Sequence, residues 1–244
     1  MNTVIEELFA RKSVRKYLEQ PIEMDKQELI LNAALQAPTA GNMTLYSIIN
    51  VTDSEKKQKL SISCDNQPFI ANAPMVLIFC ADYRRWYDAF CLYESEVRKP
   101  ATGDFLLAIQ DTMIAAQNAV VAAESLGIGS CYIGDIMEHY EYHKELLNLP
   151  KYVAPIAMLC LGYPTEQQAS RQKPSRFAKE YIVHENTYAQ TSAVDLKEML
   201  KRGEDWNEEQ LENWTRAFCK RKWNSDFSVE MSRSAAEIVK DWNV

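Results

Sequence analysis

The sequence has little glycine and proline, 7 and 9 residues in 244, which excludes collagen-like and low-complexity chains. It also lacks a long apolar run. The longest, Ala73 to Ala81, has nine residues and contains Pro74, whereas a membrane-spanning helix needs roughly 20. The first residues are charged and lack the apolar core of a secretory signal. We therefore expect a cytoplasmic protein with no membrane partner.

Basic residues are outnumbered by acidic ones, 27 to 34, giving a formal net charge of −7. Such a chain is a poor generic binder of nucleic acid, so we expect no nucleic-acid partner. The six cysteines contain no CxxC pair, which predicts free thiols in a reducing compartment. With 47% hydrophobic residues, the chain can build a packed core, and disorder is excluded.

Motifs for protein-borne catalysis are missing as well: there is no GxSxG, HExxH or P-loop pattern. Gly127, Gly129 and Gly134 do not fit GxGxxG, which argues against a dinucleotide-binding fold. His139 and His143 are four residues apart on a predicted helix and could bind a metal from one face. No third ligand has a useful spacing, so a packing or solvated role is favoured.

Strand and helix patterns alternate along the chain. Apolar runs predict strands over residues 45–51, 74–82, 130–133 and 153–162. Three- and four-residue periodicity predicts helices over 2–10, 25–37 and 104–126, the second opened by Asp25 with Glu28 as its capping-box partner. Three more helical patterns follow residue 194. The sequence therefore predicts an α+β domain with a central sheet, flanking helices and a helical carboxyl-terminal extension.

Basic residues cluster in two places on this acidic chain. In an extended backbone Arg11, Ser13 and Arg15 point to one side, where two guanidinium groups and a hydroxyl suit a phosphate. A solvated segment between helices is the alternative. The second cluster comprises Arg171, Lys173, Arg176 and Lys179. Together the clusters suggest a small anionic ligand held from both ends. The loop at residues 37–42 is built of small residues, and it either approaches a ligand closely or is an ordinary turn.

Six segments taken in order resemble the nitroreductase family of FMN-dependent NAD(P)H oxidoreductases, within its flavin-reductase and oxygen-insensitive nitroreductase branch. They are RKSVRKY, APTAGN, NQPFIANAPMVLIFCAD, AAQNAVVAAESLGIGSCYIGDI, LCLGYP and VHENTY. The resemblance covers residues 2–188. It implies an intertwined homodimer with a mostly antiparallel sheet and FMN at the subunit interface. It further implies an FMN-binding domain at residues 1–188 and a helical extension at 189–244 that packs on the dimer partner.

The resemblance also implies which residues form the site. For the FMN phosphate and ribityl chain these are Arg11, Lys12, Ser13 and Arg15, with Arg176 and Lys173 as a second phosphate contact. Along the flavin they are Pro38, Thr39, Ala40 and Asn42, and at the isoalloxazine ring Gln67, Tyr132, Ile133, Gly134 and Asp135. Arg233 corresponds loosely to an arginine near the substrate pocket. Thr44 stands where the family often has Gln, and Asp135 replaces a frequent Gly, which puts substrate range and reduction potential in question.

The chemistry implied by the resemblance belongs to the cofactor, so no catalytic side chain is assigned. NAD(P)H gives hydride to FMN N5 and leaves, and a nitroaromatic, quinone or free flavin then takes its place, in a ping-pong cycle. One alternative is a non-catalytic FMN-binding sensor. Another is an enzyme related to the flavin reductive dehalogenases, in which residues 84–103 would form a lid. A surface or dimer role for residues 84–103 is favoured over a lid.

Overall fold

A computed structural model describes residues 2–243, and this part of the chain divides into two compact units. The larger runs up to Arg171 and resumes at Glu230. The smaller is Gln172–Val229. The predicted boundary after residue 188 therefore falls inside the smaller unit. That the extension packs on a dimer partner stays a prediction.

The centre of the larger unit is a four-stranded sheet in the order β1-β2-β4-β3. Its strands are β1 (Tyr46–Asn50), β2 (Met75–Asp82), β3 (Gly129–Ile133) and β4 (Val153–Gly162), each antiparallel to its neighbours. Every residue of β2 and β4 is buried, as expected for continuous apolar runs covered on both faces. The predicted α+β fold with an antiparallel sheet is confirmed.

The longest helix, α6 (Thr102–Ser125), packs one face against the sheet. Its small residues Ala115, Ala116 and Ala119 are fully buried and allow close approach to Phe79 and Leu159. By length and mean hydropathy α6 would also fit a membrane span, which corrects the expectation that no segment could. Core helices of this kind pass the same test, and ten residues of α6 are buried in the larger unit.

The other helices of the larger unit surround this core. They are α1 (Thr3–Ala10), α2 (Met24–Leu35), α3 (Ser54–Ser63), α4 (Pro68–Ala71), α5 (Arg84–Cys91), α7 (Tyr140–Leu146) and α8 (Glu166–Ser170). Asp53 caps α3 by accepting from the backbone N–H groups of Glu55 and Lys56. The predicted capping box at Asp25 is wrong, because α2 begins at Met24 and Glu23 is its N-cap residue, without a side-chain hydrogen bond.

The smaller unit contains α9 (Ala193–Lys201) and α10 (Glu208–Lys222), and α11 (Asp226–Trp242) begins within it. Its apolar contacts include the ring pairs Trp206–Trp214 and Trp214–Phe218. The helical tail predicted from the sequence is therefore present. The end of α11 belongs to the larger unit, where Trp242 is fully buried against Phe105 and Tyr152 of the same chain.

Candidate functional site

The basic segment, which we define as Arg11–Tyr17, lies along the free edge of β3. A parallel bridge joins Ser13 to Ser130, and the Val14 N–H donates to the Ser130 carbonyl at 2.9 Å. Two glycines let the segment lie this close. A Cβ on Gly129 would stand 2.6 Å from a Val14 methyl, and one on Gly162 would stand 2.7 Å from the Tyr17 ring. These glycines therefore serve the chain's own packing.

Extended backbone sorts the side chains of the basic segment onto two sides. Arg11, Ser13 and Arg15 lie on one side of the segment, where they interact with the Cys131 thiol. Burial raises the pKa of that thiol, and the charges of Arg15 and Arg11 and a hydrogen bond with Ser13 oppose the rise. Lys12 lies on the other side, where its Nζ donates to the Ala169 carbonyl at 2.6 Å. The structure thus brings together three of the four predicted phosphate residues of this segment.

Arg11 has an unused donor. Its Nη2 is 3.4 Å from Ser130 Oγ and its guanidinium is 6.0 Å from the centre of the Tyr132 ring. Its Nε is buried and has no hydrogen-bond partner among the described residues. A buried donor without an acceptor is costly unless a bound group or solvent meets it. Two guanidinium groups, a hydroxyl and a spare donor suit the phosphate of FMN.

The loop of residues 38–44 is shaped by Asp111, which is buried in the middle of α6. The carboxylate of Asp111 accepts from Thr39 Oγ1, from the Ala40 N–H at 3.0 Å and from the Leu45 N–H at 3.2 Å. Thr39 Oγ1 in turn accepts from the Thr44 N–H at 2.7 Å. Sequence reasoning missed Asp111. Its signal was an acidic residue inside an otherwise apolar helix face.

Backbone strain and side-chain support concentrate in this same loop. Gly41, Asn42 and Thr44 have φ between 53° and 57°, a region that favours Gly and Asn and is unusual for Thr. From α5, Trp86 Nε1 donates to the Met43 carbonyl at 2.5 Å and Arg85 to the Thr44 carbonyl at 3.2 Å. The first part of residues 84–103 therefore supports the loop.

Gln67 lies at the other end of β3. Its backbone is fixed by two hydrogen bonds with Ser61, of 2.8 and 2.9 Å. Its Nε2 donates to Asp135 Oδ2 at 2.7 Å and to the Cys64 carbonyl at 2.9 Å. The structure thus joins two residues predicted at the flavin ring that are 68 positions apart in the chain. Both amide hydrogens are used, which leaves Oε1 as the free polar atom of Gln67.

The strand between these two ends supplies the remaining predicted ring residues. Tyr132 donates to Gln117 at 3.3 Å, and burial raises the pKa of Tyr132 to about 12. Ile133 is buried. A Cβ on Gly134 would meet nothing within 4 Å, and the φ of Gly134 is an ordinary −79°. The backbone here does not require glycine, and no protein atom would contact a side chain at this position.

The second basic cluster is divided between the units. Arg171, in the larger unit, donates to the Ser13 carbonyl at 2.6 Å. Arg176, in the smaller unit, donates to the Pro174 carbonyl at 3.2 Å. Lys173 belongs to the smaller unit too. A phosphate contact from Arg176 or Lys173 stays a prediction.

Arg233, predicted near the substrate, is bound by carboxylates. It makes two 2.8 Å hydrogen bonds with Glu141 and two of 2.9 Å with Glu230. Its hydrogen bonds, and to a lesser extent its charge, lower the pKa values of Glu141 and Glu230 to about 2. The guanidinium joins α7 to α11, and the structure does not bring it to the predicted cofactor residues.

The two histidines do not share a helix face, so that premise is wrong. His139 precedes α7 with a φ of 46°, and its Nδ1 is 3.6 Å from Glu230. His143 is buried, with Nδ1 2.9 Å from the Ile136 carbonyl and Nε2 2.8 Å from Ser63 Oγ. Burial lowers the pKa of His143. Both imidazoles have protein partners, and across residues 2–243 no group of three or more ligating side chains is placed to hold a metal.

The loop of residues 38–44 and the basic segment are separate in this chain. Among the described residues, no hydrogen bond, ion pair or ring contact joins them. Pro38 and Asn42 are exposed. One chain therefore contains the predicted phosphate end, the predicted ring end and, without contact to the basic segment, a preshaped loop.

Known proteins resemble this chain in sequence. The model of the nitroreductase family matches residues 8–163. The NADPH-flavin oxidoreductase of Vibrio harveyi is 35% identical over 197 residues, which is 81% of this chain and 79% of that protein. The oxygen-insensitive NADPH nitroreductase of Salmonella typhimurium is 36% identical over 188 residues, 77% of this chain and 75% of that protein.

Solved structures agree with the sequence matches. The NADPH:FMN oxidoreductase from Vibrio harveyi complexed with NAD+ superposes with a TM-score of 0.81 at 29% identity, covering 98% of both chains. The resemblance therefore extends beyond the matched family region and includes the helical tail.

Proposed function

This chain belongs to the nitroreductase family, and on that premise we propose that it is an FMN-dependent oxidoreductase. It takes hydride from NAD(P)H and, after the oxidised nucleotide has left, reduces a nitroaromatic, a quinone or free flavin. The family match and the relatives' activities as NADPH-flavin oxidoreductase and NADPH nitroreductase support this reading.

One observation carries the proposal: β3 has a cationic group at one end and an amide with open space at the other. Arg11, Ser13 and Arg15 act on Cys131, and Gln67 bonds Asp135 four residues further along. A cationic group and an amide at separate points along one strand suit a ligand with a phosphate at one end and a ring at the other.

FMN, when bound, supplies the hydride chemistry. The chain's own residues bind and orient it. Arg11 and Arg15 neutralise the phosphate, and Ser13 donates to it. Gln67 can offer the ring only the acceptor Oε1, so it selects a ring N–H. The absence of protein atoms beside Gly134 would let a flat ring approach the backbone there.

A homodimer would complete the site. The loop of residues 38–44 has a fixed shape in one chain without contacting the basic segment. Apolar side chains that a partner could cover are exposed on α1 and α6; they include Val4, Leu8, Phe9, Leu106 and Ile114. We propose that the loop of one subunit lies against the flavin bound by its partner. A cytoplasmic location and small-molecule acceptors follow from the same reading.

The proposed activity is tested by the visible spectrum of the purified protein under anaerobic conditions, before and after NADH and then NADPH. We expect flavin absorbance that bleaches with at least one nucleotide and returns when a quinone is added. Flavin that resists both nucleotides would favour the non-catalytic sensor. No flavin after addition of FMN would overturn the site.

The shared site is tested with mixed dimers. Arg15→Ala damages the phosphate end, and Thr39→Val removes the hydroxyl that joins Asp111 to the Thr44 N–H. If each site draws on both subunits, a dimer with one variant of each kind keeps one intact site, and FMN titration finds about half the wild-type capacity. If each site lies within one subunit, both sites are damaged and no intact capacity remains.

A further inference from the structure

The carboxyl group of Glu138 is buried, and one of its two oxygens has no hydrogen-bond partner among the described residues. Glu138 follows the 3-10 turn Asp135–Met137, and its N–H donates to the Asp135 carbonyl at 3.0 Å. The residue is 3% exposed, and its Oε1 has no hydrogen-bond partner among residues 2–243. A buried carboxylate with an unpaired oxygen is unfavourable, whereas a protonated carboxyl can donate.

The charged groups around Glu138 increase this cost. Asp135 faces it from the turn, Asp65 from the loop after α3, and Glu230 from α11. On α7, His143 is held by Ile136 and Ser63, and His139 pairs with Glu230. The nearby cation, Arg233, is committed to Glu141 and Glu230. The charges that act most on Glu138 are therefore negative.

Burial first, and then the charges of Asp135 and Asp65, raise the pKa of Glu138 to about 7. Its carboxyl also lies within hydrogen-bonding reach of Asp135. A protonated Glu138 can therefore donate to Asp135. Protonation removes both the cost of the unpaired oxygen and the repulsion from the neighbouring carboxylates.

Asp135 connects this proton to the ring end of the site. The same carboxylate that faces Glu138 accepts from Gln67 Nε2 at 2.7 Å. Gln67 has both amide hydrogens committed and its Oε1 free for the ring. A change of charge on Glu138 thus acts two hydrogen bonds away from Gln67.

We propose that Glu138 and Asp135 are positioning residues that hold one proton behind Gln67 and so make the reduction potential of the bound flavin depend on pH. This inference rests on the proposed function, because it presumes FMN against Gln67. When the proton leaves Glu138, a second negative charge stands behind the ring. Negative charge disfavours the reduced, anionic flavin, so the potential falls further with rising pH than the flavin's own protonation requires.

The experiment compares wild type with Glu138→Gln, which keeps the shape and removes the titration. The midpoint potential of bound FMN is measured by anaerobic spectroelectrochemistry at about pH 6 and about pH 8. Between these two pH values, the ratio of reduced to oxidised flavin should fall by a factor of roughly ten more in the wild type than in Glu138→Gln. The reason is that one additional negative charge opposes reduction in the wild type. Glu145→Gln is the matched control: the same substitution on an exposed position of α7, expected to follow the wild type.

A second readout needs no activity and no flavin. Infrared difference spectra of the FMN-free protein should contain a protonated-carboxyl band that disappears as pH rises through about 7 and is absent from Glu138→Gln. A wild-type protein without that band would overturn the proposal. So would midpoint potentials that run parallel in the wild type and Glu138→Gln while NAD(P)H still reduces the flavin. Failure to bind FMN at all would overturn the proposed function as well.

Discussion

The two ends of the proposed flavin site are built in different ways. The phosphate end takes Arg11, Ser13 and Arg15 from one extended segment, and its charge is positive. The ring end takes Gln67 and Asp135 from distant parts of the chain, with Glu138 behind them, and its charge is negative. One end therefore holds the cofactor by charge, whereas the other sets the environment in which it reacts.

The largest effect we expect concerns a carboxylate outside both ends. Asp111→Ala leaves Thr39 Oγ1 and the Ala40 and Leu45 N–H groups without their acceptor. The free energy of unfolding of the FMN-free protein should fall by about 3 kcal/mol in urea denaturation. Asp88→Ala removes an exposed ion pair with Arg84 and should cost under about 0.5 kcal/mol. Equal losses would mean that Asp111 does not shape the loop.

The next effect separates two neighbouring cations of the basic segment. Arg15→Ala should weaken FMN binding about 10- to 100-fold, because it removes a charge-assisted hydrogen bond. Lys12→Ala should weaken it less than about threefold, since Lys12 is turned toward Ala169. Fluorescence titration of FMN measures both. Equal losses would show that the phosphate is held by the net charge of the segment, and not by the side on which each side chain lies.

Gly129 and Gly134 differ in their surroundings: Val14 lies against Gly129, whereas no protein atom lies beside Gly134. In Gly129→Ala the new methyl overlaps Val14, and the protein should lose about 1–3 kcal/mol of stability. Gly134→Ala meets no protein atom and should leave stability unchanged while weakening FMN binding several-fold. Thermal unfolding and FMN titration are run on both. Full FMN affinity in Gly134→Ala would place the ring elsewhere.

The smallest effect is a pH dependence at the ring end. The pKa of Glu138 is higher in the folded protein, about 7, than its ordinary 4.5. Its protonation therefore stabilises the fold fully below about pH 4.5, and this stabilisation is lost as pH rises toward 7. Across that window the wild type should lose stability relative to Glu138→Gln, measured by urea denaturation at each pH. Parallel curves would mean that folding does not raise the pKa of Glu138.

The placement of the basic side chains and the sheet could be predicted from sequence because both depend on local pattern. Alternation in an extended segment sorted Arg11, Ser13 and Arg15 onto one side, and continuous apolar runs marked β2 and β4. Alternation alone would also have separated Lys12 from that group, but the family resemblance included it.

The family resemblance predicts Gln67 and Asp135 at the ring, but the hydrogen bond between them and the loop network could not be predicted from local pattern, because they are long-range contacts. Gln67 meets Asp135 across 68 residues, and Asp111 meets Ala40 across 71. Local spacing carries no signal for such pairs. Periodicity predicts His139 within a helix, but the helix begins at Tyr140. The reason is that His139 adopts a left-handed backbone conformation, which periodicity does not reveal.

The central claim, that the basic segment holds the phosphate of FMN, is tested most directly by comparing FMN with riboflavin, which lacks that phosphate. The dissociation constants of both are measured for wild type and Arg15→Ala. We predict that wild type prefers FMN strongly and that Arg15→Ala loses most of this preference while its affinity for riboflavin is unchanged. An equal loss for both ligands, or an unchanged preference for FMN, would contradict the account.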